Sequence, residues 1–183
     1  MLRPIPASYW VVDGVLLAGE YAGASTPARA RSKLEALLDV GIRAFFDLTE
    51  ERELPPYEDL LRELAHDRRI SIAYDRVPIR DAGVPRPADL HGLLSRLKTN
   101  VDRGIPSYLH CWGGIGRTGT VVGCWLVEHR ALEGKAALKR IAELRYGTPD
   151  RSWRSPERDE QAALVLGWAE IRRSLGTGEP AGG

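Results

Sequence analysis

The sequence has few cysteines and no long apolar run, and its charges nearly cancel. Two cysteines in 183 residues cannot form the disulfide framework of a small secreted protein. The N-terminal residues lack the apolar core of a signal peptide, and no segment reaches the roughly 20 apolar residues of a transmembrane helix. With 26 basic and 25 acidic side chains, no overall field favours nucleic acid or an anionic membrane. We therefore expect a cytoplasmic monomer without nucleic-acid or membrane partners.

Length and apolar content indicate one domain. A chain of 183 residues that is 43% hydrophobic can bury about 70% of the surface that it exposes when unfolded. Residues 176–183 are rich in glycine and proline, and we predict a disordered tail there. The folded domain is expected to span residues 1–175.

Apolar spacing alternates between strand and helix along the chain. Asp13-Gly14 between two short apolar runs predicts an N-terminal hairpin. Strand patterns then recur around residues 44–48, 72–79 and 106–110, each separated from the next by a helical pattern. The predicted fold class is α/β, with a mainly parallel central sheet flanked by helices and a ligand at the carboxyl ends of the strands.

The most informative segment is residues 110–119 (HCWGGIGRTG), which lies between an apolar strand and a helical pattern. Gly113, Gly114 and Gly116 permit positive backbone φ angles, so successive amide N–H groups can turn toward one point. The helix that begins near Arg117 directs its unpaired N–H groups and its dipole at the same point. The segment therefore predicts a cradle for a phosphate or a similar oxyanion.

Three side chains supply the chemistry of this cradle. A helix N-terminus and a nearby cation favour the thiolate form of cysteine, so we expect Cys111 to be a nucleophile. Arg117 can donate two hydrogen bonds to phosphate oxygens through its planar guanidinium. Thr118 can donate its hydroxyl to the cysteine sulfur, which makes the thiolate a better leaving group when a phosphocysteine is hydrolysed. This chemistry calls for neither a metal nor another cofactor.

Neighbouring side chains allow more than one interpretation. His110 either assists Cys111 electrostatically or is a hydrogen-bonded histidine at a strand end. Trp112 contributes its backbone N–H to the cradle, while its ring is expected to pack rather than to recognise substrate. Thr118 can also cap the helix, which is compatible with its other role. Cys124 lies among apolar helical residues and is expected to pack.

The pattern His-Cys, five residues, Arg-Thr-Gly closely resembles the signature of the cysteine-dependent protein tyrosine phosphatase superfamily, above all its small dual-specificity-like members. The resemblance implies a phosphatase-like catalytic domain and a phosphocysteine mechanism. It makes Cys111 the nucleophile, Arg117 the phosphate clamp and the amides of residues 112–117 the cradle. The substrate-binding positions that it implies are Trp112, Gly113, Gly114, Ile115, Gly116 and Arg117.

Enzymes of this superfamily also use an aspartate on a movable upstream loop as proton donor. In this chain the strand pattern at residues 72–79 runs into Arg80-Asp81-Ala82-Gly83, and Gly83 and Pro85 mark a loop. Asp81 is therefore the candidate general acid, the alternative being a solvated turn aspartate. The Trp-Pro-Asp form of the larger members is absent.

Two further segments lie within reach of such a site. Residues 154–161 (RSPERDEQ) predict a helix start, with Ser155 as N-cap and Pro156 at the first helical position. By resemblance to related small bacterial phosphatases, Gln161 is a candidate for positioning the hydrolytic water, the alternative being an exposed helical glutamine. Residues 50–56 (EERELPP) can rim the site, but a charged run before two prolines favours a solvated loop, and we assign it no catalytic role.

The expected substrate is a phosphomonoester on a protein or peptide. Residues 112–116 carry no charge, whereas an inositol polyphosphate or a lipid head group would favour additional cations. The short chain leaves little length for segments that deepen the pocket of larger tyrosine-specific members, so phosphotyrosine and phosphoserine or phosphothreonine are both expected to fit. The alternatives are a small-molecule, nucleotide or lipid phosphatase, a sulfurtransferase and a non-catalytic phosphate-binding module.

Overall fold

The computed structural model describes residues 2–176, and this part of the chain forms five strands and six helices. The strands are β1 (Ser8–Val12), β2 (Leu16–Gly19), β3 (Ala44–Asp47), β4 (Ala73–Arg76) and β5 (Ser107–His110). The helices are α1 (Pro27–Asp39), α2 (Glu58–Asp67), α3 (Pro87–Asp102), α4 (Gly116–His129), α5 (Gly134–Leu144) and α6 (Asp159–Gly176).

The strands form one sheet in the order β1-β2-β5-β3-β4. β1 and β2 make an antiparallel hairpin, whose turn places Gly14 at a φ of 71°, and every other pairing is parallel. The N-terminal hairpin, the parallel strands and the helices between them confirm the predicted α/β fold class.

Helices cover both faces of the sheet. Alternate residues of β5 point to opposite faces, so Tyr108 packs toward α1 and α2 while Leu109 packs toward the other layer. The first layer buries Leu34, Leu37 and Leu61. The second buries Leu94 of α3, Trp125 of α4 and Trp168 of α6. Two apolar layers thus hold β5 rigidly at the centre of the domain.

The parallel strands end at a common edge. The last residues of β2 and β3, Gly19 and Asp47, both stand in register with His110, and Asp47 stands in register with Arg76 of β4. The loops that follow these strands therefore meet where the chain leaves β5. This is the edge at which open parallel sheets bind their ligands.

The predicted start of the last helix is wrong by three residues. α6 begins at Asp159, and Ser155 does not cap it, because the Ser155 hydroxyl donates to the Ile115 carbonyl at 2.8 Å. The Ser155-Pro156 peptide bond is cis. The segment lies so close to α4 that a Cβ on Gly119 would stand 2.2 Å from Ser155 Oγ. A sequence typical of a helix start here serves a packing contact instead.

Two further predictions concern the chain ends and membranes. Gly176, the first residue of the predicted tail, is the last residue of α6, and residues 177–183 lie outside the described residues.

Within residues 2–176, no helix combines the length and the apolar character needed to cross a bilayer.

Candidate active site

Cys111 lies at the floor of a small pocket where β5 passes into α4. It directly follows the last residue of β5 and is 3% exposed. The pocket has a volume of about 210 Å³ and is bordered by the backbone of the 112–117 cradle. Among the side chains that the structure brings to its walls are Cys111, Trp112, Arg117, Asp81, Gln161 and Glu157.

The cradle needs glycine most strictly at one position. Gly114 has a φ of 70°, whereas Gly113 and Gly116 lie outside the left-handed region, so the expectation of positive φ holds for one glycine of the three. A Cβ on Gly114 would stand 2.4 Å from the backbone of Gly19 at the end of β2. The cradle thus lies directly against the end of β2. A hydrogen bond strengthens this contact, because the Tyr21 N–H donates to the Trp112 carbonyl at 2.8 Å.

Arg117 connects the cradle to the loops that follow β3 and β4. Its Nη1 donates to Glu53 Oε2 at 2.7 Å and to the Ile79 carbonyl at 3.2 Å. Its Nη2 donates to Glu53 Oε1 at 2.6 Å and lies 3.1 Å from Asp81 Oδ1. The guanidinium is buried, and a two-pronged carboxylate partner offsets the cost of burying its charge.

Glu53 is one site residue that the sequence analysis missed. The interpretation of residues 50–56 as a solvated loop is wrong at Glu53, whose side chain is largely buried against Arg117. The hydrogen bonds from Arg117 hold the pKa of Glu53 below its usual value. Glu50 also faces the site, since its carboxylate accepts the Asp81 N–H at 3.1 Å. The charged run around Glu53 gives no local signal that one of its carboxylates pairs with Arg117, which lies 64 residues further along the chain.

Asp81 lies at the mouth of the pocket, on the loop between β4 and α3. The loop turns tightly, with the Gly83 N–H donating to the Arg80 carbonyl at 2.9 Å and Ala82 at a φ of 56°. The Asp81 side chain is 63% exposed, so its contact with Arg117 can break without exposing buried surface. A carboxyl group in this place can approach the ester oxygen of a phosphate bound over Cys111.

His110 is fully buried beneath the cradle and has a partner on each ring nitrogen. The Cys111 carbonyl can only accept, so Nδ1 donates to it at 3.1 Å, and Nε2 accepts from the Tyr57 hydroxyl at 2.6 Å. Burial lowers the pKa of His110, which favours this neutral form although Asp47 lies 3.9 Å from Nδ1. The histidine is thus a hydrogen-bonded strand-end residue that also holds the main chain of Cys111.

Thr118 lies in the first turn of α4 with its hydroxyl buried. No polar atom of residues 2–176 forms a hydrogen bond with Thr118 Oγ1, so the predicted bond to the Cys111 sulfur is not made in this structure. The hydroxyl does not cap the helix either. A buried hydroxyl without a partner costs free energy, which makes Thr118 a group available to a ligand or an intermediate.

Gln161 is buried in the pocket wall rather than exposed on a helix. Its Oε1 accepts the Arg158 N–H at 3.1 Å, and its Nε2 donates to the Gly83 carbonyl at 3.0 Å. The side chain therefore joins α6 to the loop that carries Asp81. Both of its polar ends are engaged, so a role in positioning water requires one of these bonds to open.

Trp112 and Cys124 complete the predicted set. The prediction that the Trp112 ring packs in the core is wrong, because the ring is 58% exposed at the rim of the pocket. Cys124 is buried within α4, where burial raises the pKa of its thiol and keeps it protonated. The structure thus assigns the second cysteine to packing.

Comparison with known proteins identifies a family and several relatives that share this sequence pattern and fold. A sequence profile of a family described as "Polymorphic toxin system, DSP-PTPase phosphatase" matches residues 21–131, which is more than half of the chain. The chain is 28% identical over 120 residues to phosphatidylglycerophosphate phosphatase PTPMT2 of Arabidopsis thaliana, covering 63% of this chain and 48% of that protein. It is 28% identical over 136 residues to putative tyrosine phosphatase 067L of Invertebrate iridescent virus 3, covering 72% and 50%.

The chain therefore spans about half the length of these curated relatives. Among solved structures, a mutant form of Tk-PTP resembles it with a TM-score of 0.68 and 26% identity, covering 93% of this chain and 98% of that one. The fold and the family match confirm the resemblance inferred from the cradle. The chain belongs to the DSP-PTPase phosphatase family, within the cysteine-dependent protein tyrosine phosphatase superfamily.

Proposed function

We propose that this protein hydrolyses phosphomonoesters on tyrosine, serine or threonine of proteins through a phosphocysteine intermediate. The observation that carries the proposal is the placement of Cys111 at the floor of a pocket that has Arg117 and Asp81 in its walls. The three groups match the needs of the reaction, which are a nucleophile, a clamp for the phosphoryl oxygens and a proton donor.

In the first step, the Cys111 sulfur attacks phosphorus while the bond from phosphorus to the ester oxygen breaks. Arg117 and the free N–H groups at the start of α4 hold the phosphoryl oxygens as the group flattens. Asp81, in its protonated form, gives its proton to the leaving oxygen. The exposed contact of Asp81 with Arg117 is the one that an incoming phosphate replaces, since Glu53 holds Arg117 through two short bonds.

In the second step, water attacks the phosphocysteine and the thiolate leaves. The Asp81 carboxylate accepts a proton from this water, which returns the general acid to its starting form. The Thr118 hydroxyl, which has no partner within residues 2–176, can donate to the departing sulfur. Gln161 can orient the water once its bond to the Gly83 carbonyl opens.

The pocket supports a protein phosphoester as the substrate. Its small volume suits a phosphoryl group, and the variable cradle residues Trp112, Gly113, Ile115 and Gly116 bring no charge to it. The relative described as a putative tyrosine phosphatase supports this choice. The second candidate is a glycerophospholipid monoester, which the equally similar phosphatidylglycerophosphate phosphatase favours.

A substrate panel with two variants tests the proposal. Purified protein is assayed with para-nitrophenyl phosphate, phosphotyrosine and phosphoserine peptides, phosphatidylglycerophosphate in vesicles and a set of nucleotides. We expect the highest kcat/KM on peptides, and we expect Cys111→Ser to abolish all hydrolysis while retaining tungstate binding. Cys124→Ser is the control, and it is expected to retain hydrolysis because that thiol is buried away from the pocket.

The outcomes separate the candidates. Full activity in Cys111→Ser would overturn the phosphocysteine mechanism. A higher kcat/KM on the lipid than on every peptide would transfer the proposal to the second candidate. Phosphate binding without turnover of any ester would identify a binding module, and formation of a persulfide from thiosulfate would identify a sulfurtransferase.

A further inference from the structure

A second, larger cavity adjoins the proposed catalytic pocket. This cavity, called here the α1 groove, has a volume of about 820 Å³ and is lined by Glu20, Tyr21, Arg29, Lys33, Leu54 and Trp112 among others. Trp112 lies at the boundary, because its exposed side chain borders both the groove and the pocket above Cys111. A substrate whose phosphate fills the small pocket can therefore extend past Trp112 into the groove.

Among residues 2–176, two cations line the α1 groove, and one of them is paired with a carboxylate. Lys33 Nζ lies 3.2 Å from a carboxylate oxygen of Glu20 and donates to the carbonyls of Tyr21 and Gly23. Arg29 is exposed on the same helix, and no carboxylate of residues 2–176 forms an ion pair with it. The groove thus presents one uncompensated positive charge beside the catalytic pocket.

The walls of the groove also suit a polypeptide. Gly23 has no side chain and Ala24 and Ala28 have only a methyl group, which leaves room for a peptide to lie along α1. Leu54 and Pro55 add apolar surface to the lining, and the Tyr21 hydroxyl donates to the Pro55 carbonyl. Small, apolar and charged wall positions together match the varied side chains of a peptide better than they match two acyl chains.

We propose that the α1 groove binds the residues flanking the phosphorylated amino acid of a protein substrate, and that Arg29 selects an acidic side chain among them. This inference rests on the proposed function, and it narrows the substrate class to phosphoproteins with an acidic side chain beside the phosphorylated residue. Charge selection of this kind gives specificity through one attractive pair at the site. Arg29 lines the groove and not the catalytic pocket, so it affects the choice of peptide and not the bond-breaking step.

The experiment compares phosphotyrosine peptides that differ by Glu, Gln or Lys at each flanking position in turn. For the natural protein we expect kcat/KM to favour Glu over Gln by about fivefold at one or two adjacent positions, the size of a good surface ion pair. Arg29→Glu is expected to reverse this preference toward Lys. Hydrolysis of para-nitrophenyl phosphate, which does not reach the groove, is expected to stay unchanged.

Arg31→Glu is the matched control. Arg31 lies on the same helix and is exposed, but it pairs with Glu63 at 2.6 Å and does not line the groove. It is expected to keep the preference for Glu. Equal effects of the two substitutions, or an unchanged preference in Arg29→Glu, would overturn the proposal. So would a loss confined to phosphatidylglycerophosphate vesicles, which would assign Arg29 to a lipid head group.

Binding measurements keep this test separate from the proposed function. The same peptides are titrated into Cys111→Ser protein and followed by fluorescence anisotropy. A preference for Glu that depends on Arg29 supports the groove even if the natural protein hydrolyses none of the esters. Absence of that preference overturns the groove even if hydrolysis is fast.

Discussion

Glu53 gives Arg117 a fixed partner before any phosphate enters the pocket. Two hydrogen bonds of 2.6 and 2.7 Å join the guanidinium to the Glu53 carboxylate. A paired, buried guanidinium loses little conformational freedom when it binds an oxyanion, so the pairing lowers the cost of clamping the phosphate. We therefore expect Glu53 to be a positioning residue that acts through Arg117.

Glu53→Gln is expected to lower kcat/KM for para-nitrophenyl phosphate by about 10- to 100-fold, the value of one or two charge-assisted hydrogen bonds. The amide keeps the shape of the side chain but removes the charge that orients Arg117. Steady-state kinetics provide the measurement, and Glu51→Gln is the control because Glu51 is exposed in the same loop. A Glu53→Gln protein as active as Glu51→Gln would contradict this role.

Asp81→Asn is expected to show a strong dependence on the leaving group. Loss of a general acid slows expulsion of a poor leaving group by about 10²- to 10⁴-fold, whereas a nitrophenolate leaves without a proton. We expect a large fall in kcat with a phosphoserine peptide and a small fall with para-nitrophenyl phosphate. Similar falls with both substrates would remove the assignment.

At the scale of elements, the contact between the cradle and β2 sets the shape of the site. Gly114 combines a φ of 70° with a position where a Cβ would stand 2.4–2.7 Å from backbone atoms of Gly19 and Glu20. Backbone atoms at the end of a paired strand cannot move aside without loss of hydrogen bonds. The hairpin therefore does more than cover a sheet edge, because it supports the phosphate cradle from behind.

Gly114→Ala is expected to lower the free energy of unfolding by about 1–3 kcal/mol and to weaken tungstate binding, since both strain and a clash distort the cradle. Urea unfolding and calorimetric titration provide the measurements. Gly113→Ala is the matched control, because the nearest neighbour of its Cβ would be Ile115 Cδ1 at 3.7 Å. Equal losses in the two variants would show that the close approach to β2 is unimportant.

At the scale of the whole molecule, buried ionisable groups make stability depend on pH. Burial lowers the pKa of His110 and of His129 in the folded state, so the unfolded chain binds their protons more readily. The stability that the folded protein gains from neutral histidines is fully present above the pKa of histidine in the unfolded chain, about 6.5. It is lost as pH falls below that value. The pKa of Glu53 is also lowered, by Arg117, and its contribution is lost at more acidic pH.

We therefore expect the free energy of unfolding to fall from pH 7 toward pH 5, with a slope of at most about 1.4 kcal/mol per pH unit for each buried histidine. His110→Gln is expected to flatten this slope, whatever its effect on stability at pH 7. Urea unfolding over a pH series provides the measurement. His66→Gln, at an exposed site in α2, is the control. An unchanged slope in His110→Gln would contradict the assignment.

The fold was largely predictable because its signals are local. Apolar periodicity marks each helix and strand, and glycines around a cysteine mark the cradle. Contacts between distant segments leave no such local signal, and only the family resemblance placed Asp81 and Gln161 near the cradle. Glu53 and Arg117 meet only after β3 and β5 pair, and Gln161 is buried only because α6 packs against the loop of Asp81. Ser155 has the local signature of a cap, but a carbonyl of the cradle is its partner.

The wall that Glu157 and Gln161 add to the pocket comes from chain that follows the segment matched by the family profile, residues 21–131. The proposed nucleophile Cys111, the proposed clamp Arg117 and the proposed proton donor Asp81 all fall inside that segment. Mutation can therefore alter this wall, and with it the hold on the Asp81 loop, while the bond-breaking groups stay intact. A change in this wall is therefore expected to reach the proposed chemistry only indirectly, through the hold on the Asp81 loop and through the orientation of water by Gln161.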